Sequence, residues 1–464
     1  MTDPGTTTDT ESEGGSGRLG GNYLKLVTAS GISNLGDGIG TIAYPWLASA
    51  VTRSPLLISV VLVAQRLPWL LFSLPAGVVS DRFDRGRVMV VSNLARAAFT
   101  LVVAAIVLGR QSDLPSPDEV DSLTAAGDTG TDVTLYLVVL VATVALGIGE
   151  VLYDNANQSF LPHIVDSPNL EKANGRLWSV EMIANSFVGP PLGAFLLVGV
   201  FSLPFFVDAA TFAVSAGLIA AITVRRPTRA SAPAAPAAGR ADRSSMVADI
   251  KEGFGWLWRH PFLRGLAIIL GLMNMLGTLA TTTLVLFAQE ELQTSPAQFA
   301  LLSIGSAIGG IVGGWTGSLI SKRLGPGPSL WLALGGGGLT NLITGFTSSW
   351  IVVAVMFGLF MLLAVVWNVI TVSLRQTIIP DHLLGRVNSV YRFFAWGMMP
   401  IGALLAGLMI SVVEAIADRS LALRSPWIAA GVGQLLLLVV AGPKLTTARI
   451  EAARAGAAAD PPAG

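Results

Sequence analysis

About twelve times along this chain a long apolar run is broken by a brief polar stretch: near 23–50, 55–79, 88–109, 133–153, 174–200, 203–224, 262–288, 297–320, 329–348, 350–373, 387–414 and 425–443. A run of ~20 apolar residues is what one helical crossing of a bilayer requires. In lipid the backbone must satisfy its own hydrogen bonds, so such runs can only be helices. The runs at 174–200 and 387–414 are diluted by polar residues, which leaves eleven as the alternative count. The expected fold class is an all-α membrane protein of twelve transmembrane helices.

Charge is too sparse for a soluble fold. Only 12% of the 464 residues are charged against 52% hydrophobic, and the formal net charge is zero. No global field therefore favours nucleic acid as a partner. Cysteine is absent, and the three histidines, His163, His260 and His382, fall at separate loop-like places. No metal site, disulfide or cofactor is expected.

Residues 1–22 are polar, acidic and rich in Gly, Ser and Thr, without the basic and apolar regions of a cleaved signal. They predict a disordered tail, with insertion directed by the first span. A second tail is predicted at 446–464. Between the sixth and seventh runs lies a Pro/Ala/Arg-rich linker, after which Ile250, Phe254, Leu257 and Trp258 recur at helical spacing. This predicts a flexible segment leading into an amphipathic helix at the membrane surface. The expected domain plan is a bundle at 23–224, a linker at 225–260 and a second bundle at 261–445.

Basic residues set the orientation. Arg82, Arg85 and Arg87 follow the second run, Lys172 and Arg176 the fourth, Arg225, Arg226 and Arg229 the sixth, Lys322 and Arg323 the eighth, and Arg375 and Arg386 the tenth. The alternate loops are acidic or nearly uncharged, the longest, 110–132, carrying six aspartates and glutamates against Arg110. By the positive-inside rule both termini lie in the cytoplasm of a cell whose cytoplasmic membrane holds the protein.

The two halves also echo each other. Gly31-Ile-Ser-Asn34 parallels Gly271-Leu-Met-Asn274, Gln158-Ser-Phe-Leu-Pro162 parallels Gln376-Thr-Ile-Ile-Pro380, and Pro191-Leu-Gly-Ala194 parallels Pro400-Ile-Gly-Ala403. Gly77 with Asp81-Arg82 finds its counterpart in Gly317 with Ser321-Lys322. Four matches in the same order indicate duplication of a six-helix unit. Transporters built on such repeats carry substrate at the interface between them.

Ionisable groups inside the spans need a reason, since each costs ~2.5–3.5 kcal/mol to insert. Asp37 and Arg66 fall near mid-depth in spans one and two and are the expected pair, serving either proton coupling or a permanent ion pair. Glu150 and Asp154 lie one turn apart on span four, Asp154 nearer the headgroups, and Glu181 in span five is a possible partner for Glu150. Asp208, opening span six, reads equally as a helix cap or a site residue. The second half offers mainly amides. Asn34, Asn274 and Asn368, with an aromatic wall drawn from Trp46, Trp69, Phe287, Trp367 and Trp396, are candidates for the substrate cavity, although membrane belts and packing explain most such aromatics.

The stretch Gly77-Val-Val-Ser-Asp81-Arg82-Phe-Asp84-Arg85-Gly86-Arg87 resembles the cytoplasmic motif between helices two and three of the major facilitator superfamily, with one residue inserted before the second glycine. Ser33-Asn-Leu-Gly-Asp37, Tyr44-Pro-Trp46, Phe205-Phe-Val-Asp208 and Trp258-Arg-His-Pro261 are similar to its drug and siderophore exporter branch. The resemblance implies two pseudo-symmetric six-helix bundles and a conformational latch made by Gly77, Asp81, Arg82, Arg85 and Arg87, the arginines binding carboxylates or lipid phosphates. Val188-Gly189-Pro190-Pro191-Leu-Gly193 resembles the antiporter motif of proton-coupled exporters, or else is an ordinary Gly/Pro helix contact.

No lysine follows a glycine, so no Walker loop is present and an ion gradient is the expected energy source. No clustered nucleophile and base argue for an enzyme. The expectation is a monomeric proton-coupled exporter of small amphipathic molecules, drugs or secreted metabolites. A dedicated siderophore exporter, or a receptor or scramblase on the same scaffold, are the alternatives.

Overall fold

The computed structural model describes residues 19–115, 130–165, 169–198, 200–223 and 243–459. Most of the N-terminal tail, much of the acidic 110–132 loop and the linker from 224 to 242 lie outside the described residues. Those described form helices and short connections. They are α1 (Gly20–Val51), α2 (Pro55–Arg82), α3 (Arg85–Gly109), α4 (Val133–Phe160), α5 (Leu170–Met182) and α6 (Gly189–Leu197), the last two joined by a π-helical turn at Ile183–Val188, then α7 (Leu203–Ala220). After α8 (Arg243–Arg259) come α9 (Pro261–Thr281), α10 (Leu284–Glu290), α11 (Pro296–Leu324), α12 (Pro326–Phe346), α13 (Trp350–Ile378), α14 (Asp381–Gly397), α15 (Met399–Glu414), α16 (Arg419–Ala441) and α17 (Thr447–Ala459).

The helix starts follow from local chemistry. Ser54, Asp84, Asp132 and Asp418 each accept a hydrogen bond from a backbone N–H in the first turn of α2, α3, α4 and α16. Ser295 and Gln298 form a reciprocal capping box at α11, with Pro296 at its first position. These side chains satisfy donors that a helix cannot pair internally.

In the first half α1 is central, packed against α7, α6 and α5, while α3 packs on α7 and α4 and α2 packs on α4. In the second half α11 packs on α13, α12 on α16 and α13, and α9 on α15 and α16. Between the halves, α2 lies on α15 and α6 on α11. These two contacts join span two to span eleven and span five to span eight. Under the internal repeat each maps onto the other, as a two-fold pseudo-axis requires.

Ten helical segments among the described residues are long and apolar enough to cross a membrane by length and composition. The runs near 23–50 and 329–348, helical as α1 and α12, are not among these ten. The second tail differs from expectation. α17 continues to Ala459 and buries Ile450 completely, because its alanines favour helix and its one large apolar residue finds a surface. The amphipathic helix, α8, docks on α14: Arg386 donates to Glu252 at 2.6 Å, and Phe254 and Trp258 stack near Phe394.

Candidate functional site

Arg96 stands midway along α3, with a side chain 3% exposed. It forms an ion pair and hydrogen bond with Asp37 of α1, and its guanidinium lies 3.9 Å from the centre of the Phe212 ring of α7. Four carboxylates act on it electrostatically: Asp37, Glu150, Asp208 and Asp154. Three helices thus bring acids to a fourth that supplies one cation. Two unit charges ~4 Å apart interact by about 4 kcal/mol at an effective dielectric of 20, so this arrangement dominates the local field.

Small residues make the cluster possible. A side-chain carbon on Gly36 would fall 2.1 Å from Thr211 Oγ1 and 2.3 Å from Asp208 Oδ1. Glycine there lets α7 carry Asp208 against the α1 backbone one residue from Asp37. Asp208 is buried, and its Oδ1 has no hydrogen-bond partner. It lies inside α7, whose N-cap is Ser202, so it is not the cap of that helix, and it stands in the field of Asp37 and Arg96. Asp37 keeps 26% of its side chain exposed, which leaves the acid reachable while its arginine is not.

The glycines and prolines of the antiporter-like motif sit directly behind Asp37. Gly189 meets Gly38 of α1, and a side-chain carbon on Gly189 would fall 2.6 Å from the Gly38 Cα. Gly193 abuts the Ile39 backbone in the same way. Pro190 and Gly193 are buried, Pro191 partly so, and the π-helical turn just before them shifts the helix register. Single π-turns of this kind are frequent at functional sites.

Glu181 does not partner Glu150 as expected. Its carboxylate accepts from Ser30 at 2.5 Å and from Asn157 at 3.4 Å, and it lies within electrostatic range of Asp154. Nor does Arg66 pair with Asp37. Arg66 is exposed and acts electrostatically on Glu150, which also takes a hydrogen bond from Trp69. The cause is the packing: α2 lies on α4 and α15 and has little contact with α1, so equal depth in consecutive spans does not bring side chains together.

A second cluster joins the halves at the end remote from both α1 and α17 starts. Arg53, in the turn between α1 and α2, pairs with Glu290 and donates to Gln289 at 2.7 Å. Arg419 donates to both Glu290 oxygens, at 2.5 and 3.0 Å, to Glu414 at 2.7 Å, and to the Arg53 carbonyl at 3.0 Å. Arg424 pairs with Glu291 at 2.6 Å and donates to the carbonyls of Gly345 and Thr347. Gln289 completes the seam by donating to Ser49 at 2.9 Å.

The remaining candidates scatter. Asn34 donates to the Ser30 carbonyl of its own helix, Asn274 donates to the Ala395 carbonyl of α14, and Asn368 is exposed. Trp367, 1% exposed, belongs to the apolar core of the second half, and Trp46 and Phe287 are likewise core. Trp69 and Trp396 remain, their ring centres 6.1 Å apart across the halves. In the latch motif, Asp84 caps α3, Arg85 hydrogen-bonds His163 of the same half, and Arg82 and Arg87 are exposed. The surroundings of Gly77 and the side chain of Asp81 lie outside what the structure describes.

Sequence reading missed Arg96, although an arginine midway along an apolar run carries the same insertion cost that singled out Asp37. It also missed Arg53, Glu290 and Arg419, which no local signal links: Arg53 and Glu290 are 237 positions apart.

The chain is 26% identical to the multidrug efflux pump Tap of Mycolicibacterium fortuitum over 439 residues, covering 91% of this chain and 95% of that one. It is also 26% identical to the enterobactin exporter EntS of Escherichia coli O1:K1 over 371 residues, 78% of each. The fold resembles that of a bacterial homologue of the iron transporter ferroportin, with a TM-score of 0.64, 15% identity, and coverage of 89% of this chain and 98% of the other. The family model of the Major Facilitator Superfamily matches residues 26–403, so the apolar helices, the repeat and the buried charges have one origin: the chain belongs to that superfamily of membrane transporters.

Proposed function

We propose that the protein exports small amphipathic molecules by exchange with protons, with Asp37 as the coupling acid. The observation that carries this reading is the acid surplus around Arg96: one buried cation acted on by four carboxylates. A cluster so constituted takes up positive charge, and Asp37, paired yet partly exposed, is where protons and a cationic or polar substrate group compete. The export direction is supported by likeness to proteins named as an efflux pump and an exporter.

With both termini cytoplasmic, the Arg53–Glu290–Arg419 cluster lies at the outer surface and holds that side closed. Asp37 is then presented to the inner side, where substrate enters. Opening the outer side breaks the ion pairs and exchanges substrate for protons, which is alternating access with the halves as rocking bodies. The twelve runs, including those forming α1 and α12, all cross the membrane in this reading.

The test is ethidium efflux from energised cells expressing the protein, with and without a protonophore, beside the Asp37→Asn variant. Protonophore-sensitive efflux that the variant loses, at equal amounts in the membrane, supports the reading. Efflux unchanged in the variant rejects Asp37 as the coupling acid.

A further inference from the structure

Behind the acid cluster a second line of polar groups runs through the interior of the first bundle. Ser30 lies seven residues before Asp37 on α1, about 10 Å along the helix axis. Its hydroxyl donates to Glu181 at 2.5 Å. Tyr153 of α4 faces both Ser30 and Ser215 of α7. Ser215 accepts from Asn93 of α3 at 2.9 Å, and Asn93 is one turn from Arg96. Glu181 is thereby linked through Ser30, Tyr153 and Ser215 to Asn93, one turn of α3 from the residue that pairs with Asp37.

The groups on this line are buried yet incompletely bonded. Tyr153 is 2% exposed, and its hydroxyl has no hydrogen-bond partner, nor do Ser33 Oγ, Asn93 Oδ1 or Asn157 Oδ1. Isolated orphans of this kind are rare in folded proteins, and a run of them on neighbouring helices is the setting in which buried water bridges polar groups. The charged groups facing Tyr153 are Asp154 and Glu181. Ser30, Ser33, Asn93 and Ser215 are all buried, and the bonds of the seam, Ser30 to Glu181 and Asn93 to Ser215, stay within the first bundle.

We propose that this seam is a hydrated proton path, with Tyr153 as the relay and Glu181 as the exit acid through which Asp37 releases its proton toward the cytoplasmic side. The inference rests on the proton-exchange reading above. A proton leaves the Asp37 carboxyl for a bridging water, and that water gives one of its own to the Tyr153 oxygen. Tyr153 simultaneously passes its original proton to the next water, which gives one to the Glu181 carboxylate. Each O–H bond broken is matched by one formed, and the net change is an Asp37 carboxylate and a protonated Glu181. Proton exit and substrate entry thus use different routes to the same acid.

The experiment compares wild type with Tyr153→Phe, which removes one oxygen and keeps the ring, in proteoliposomes loaded with ethidium. Two readouts are taken: uphill ethidium transport driven by an imposed proton gradient, and ethidium counterflow at equal pH, which needs no net proton movement. The path predicts that gradient-driven transport falls about tenfold or more while counterflow is unchanged. Ser30→Ala provides an independent break and should show the same split. Equal loss of both readouts in the two variants, or no loss of either, overturns the path and leaves the proton-exchange reading standing. Wild-type transport indifferent to the proton gradient fails that reading itself, and the path with it.

Discussion

The molecule holds two clusters of arginines and carboxylates, and they differ in balance. At the end of the bundles, Arg53, Arg419 and Arg424 meet Glu290, Glu414 and Glu291, three cations against three anions, with most donors matched to oxygens at hydrogen-bond distance. At mid-bundle, Arg96 pairs with Asp37 alone and stands in the field of Glu150, Asp208 and Asp154, and Asp208 Oδ1 and Arg96 Nε have no hydrogen-bond partner. A balanced, fully bonded cluster rewards one conformation and resists titration. An unbalanced one with spare lone pairs changes its protonation with its surroundings. The first has the chemistry of a clasp, the second that of a switch.

The sharpest way to break this contrast is to remove the cation from the unbalanced cluster. Arg96→Leu leaves Asp37 without its ion-pair partner and the neighbouring acids without a cation, and breaking a buried pair in this way costs about 3–5 kcal/mol. The expected outcome is abolished transport and a large fall in the thermal midpoint of the purified protein in detergent. A stable, active variant would show that the acids do not depend on Arg96.

The balanced cluster should respond differently. Glu290→Gln leaves Arg53 and Arg419 sharing one neutral partner, so the closed arrangement loses roughly 2–3 kcal/mol of differential stability, a shift of about 30- to 150-fold in the conformational equilibrium. The chain has no cysteine of its own, and Ser49→Cys therefore reports selectively on this end. Its labelling by a membrane-impermeant maleimide should accelerate in the Glu290→Gln background. An unchanged rate would mean that the cluster is structural and clasps nothing that opens.

A smaller effect is expected at the margin of the same cluster. Arg424→Lys keeps the charge opposite Glu291 but loses the planar reach to the Gly345 and Thr347 carbonyls. About 1 kcal/mol of stability should be lost, with transport nearly intact. A loss as great as that of Glu290→Gln would extend the clasp to the whole cluster.

The fold was largely legible because lipid allows so few solutions: long apolar runs become helices, and a repeat implies a pseudo-axis. The site was legible by halves. Asp37, Glu150 and Asp154 stood out because a carboxylate inside an apolar run is costly; the structure pairs Asp37 with Arg96 and leaves the other two within its electrostatic reach. Their partners were not, because sequence order suggests that consecutive spans touch, whereas α1 packs chiefly on α7 and α6. That is why Asp37 was matched to Arg66 instead of Arg96. Asp208 was ambiguous for a related reason: its burial depends on Gly36 of a distant helix admitting it. Trp367 was misjudged because an aromatic side chain carries no mark that distinguishes a cavity wall from a core.

Exchange of the Asp37 proton for substrate is tested most directly by proton release when ethidium is added to the purified protein in weakly buffered detergent solution, for wild type and Asp37→Asn. A pH-dependent release is expected from wild type and is lost in the variant, which remains folded. Equal release from both proteins would rule out Asp37 as the exchanging acid.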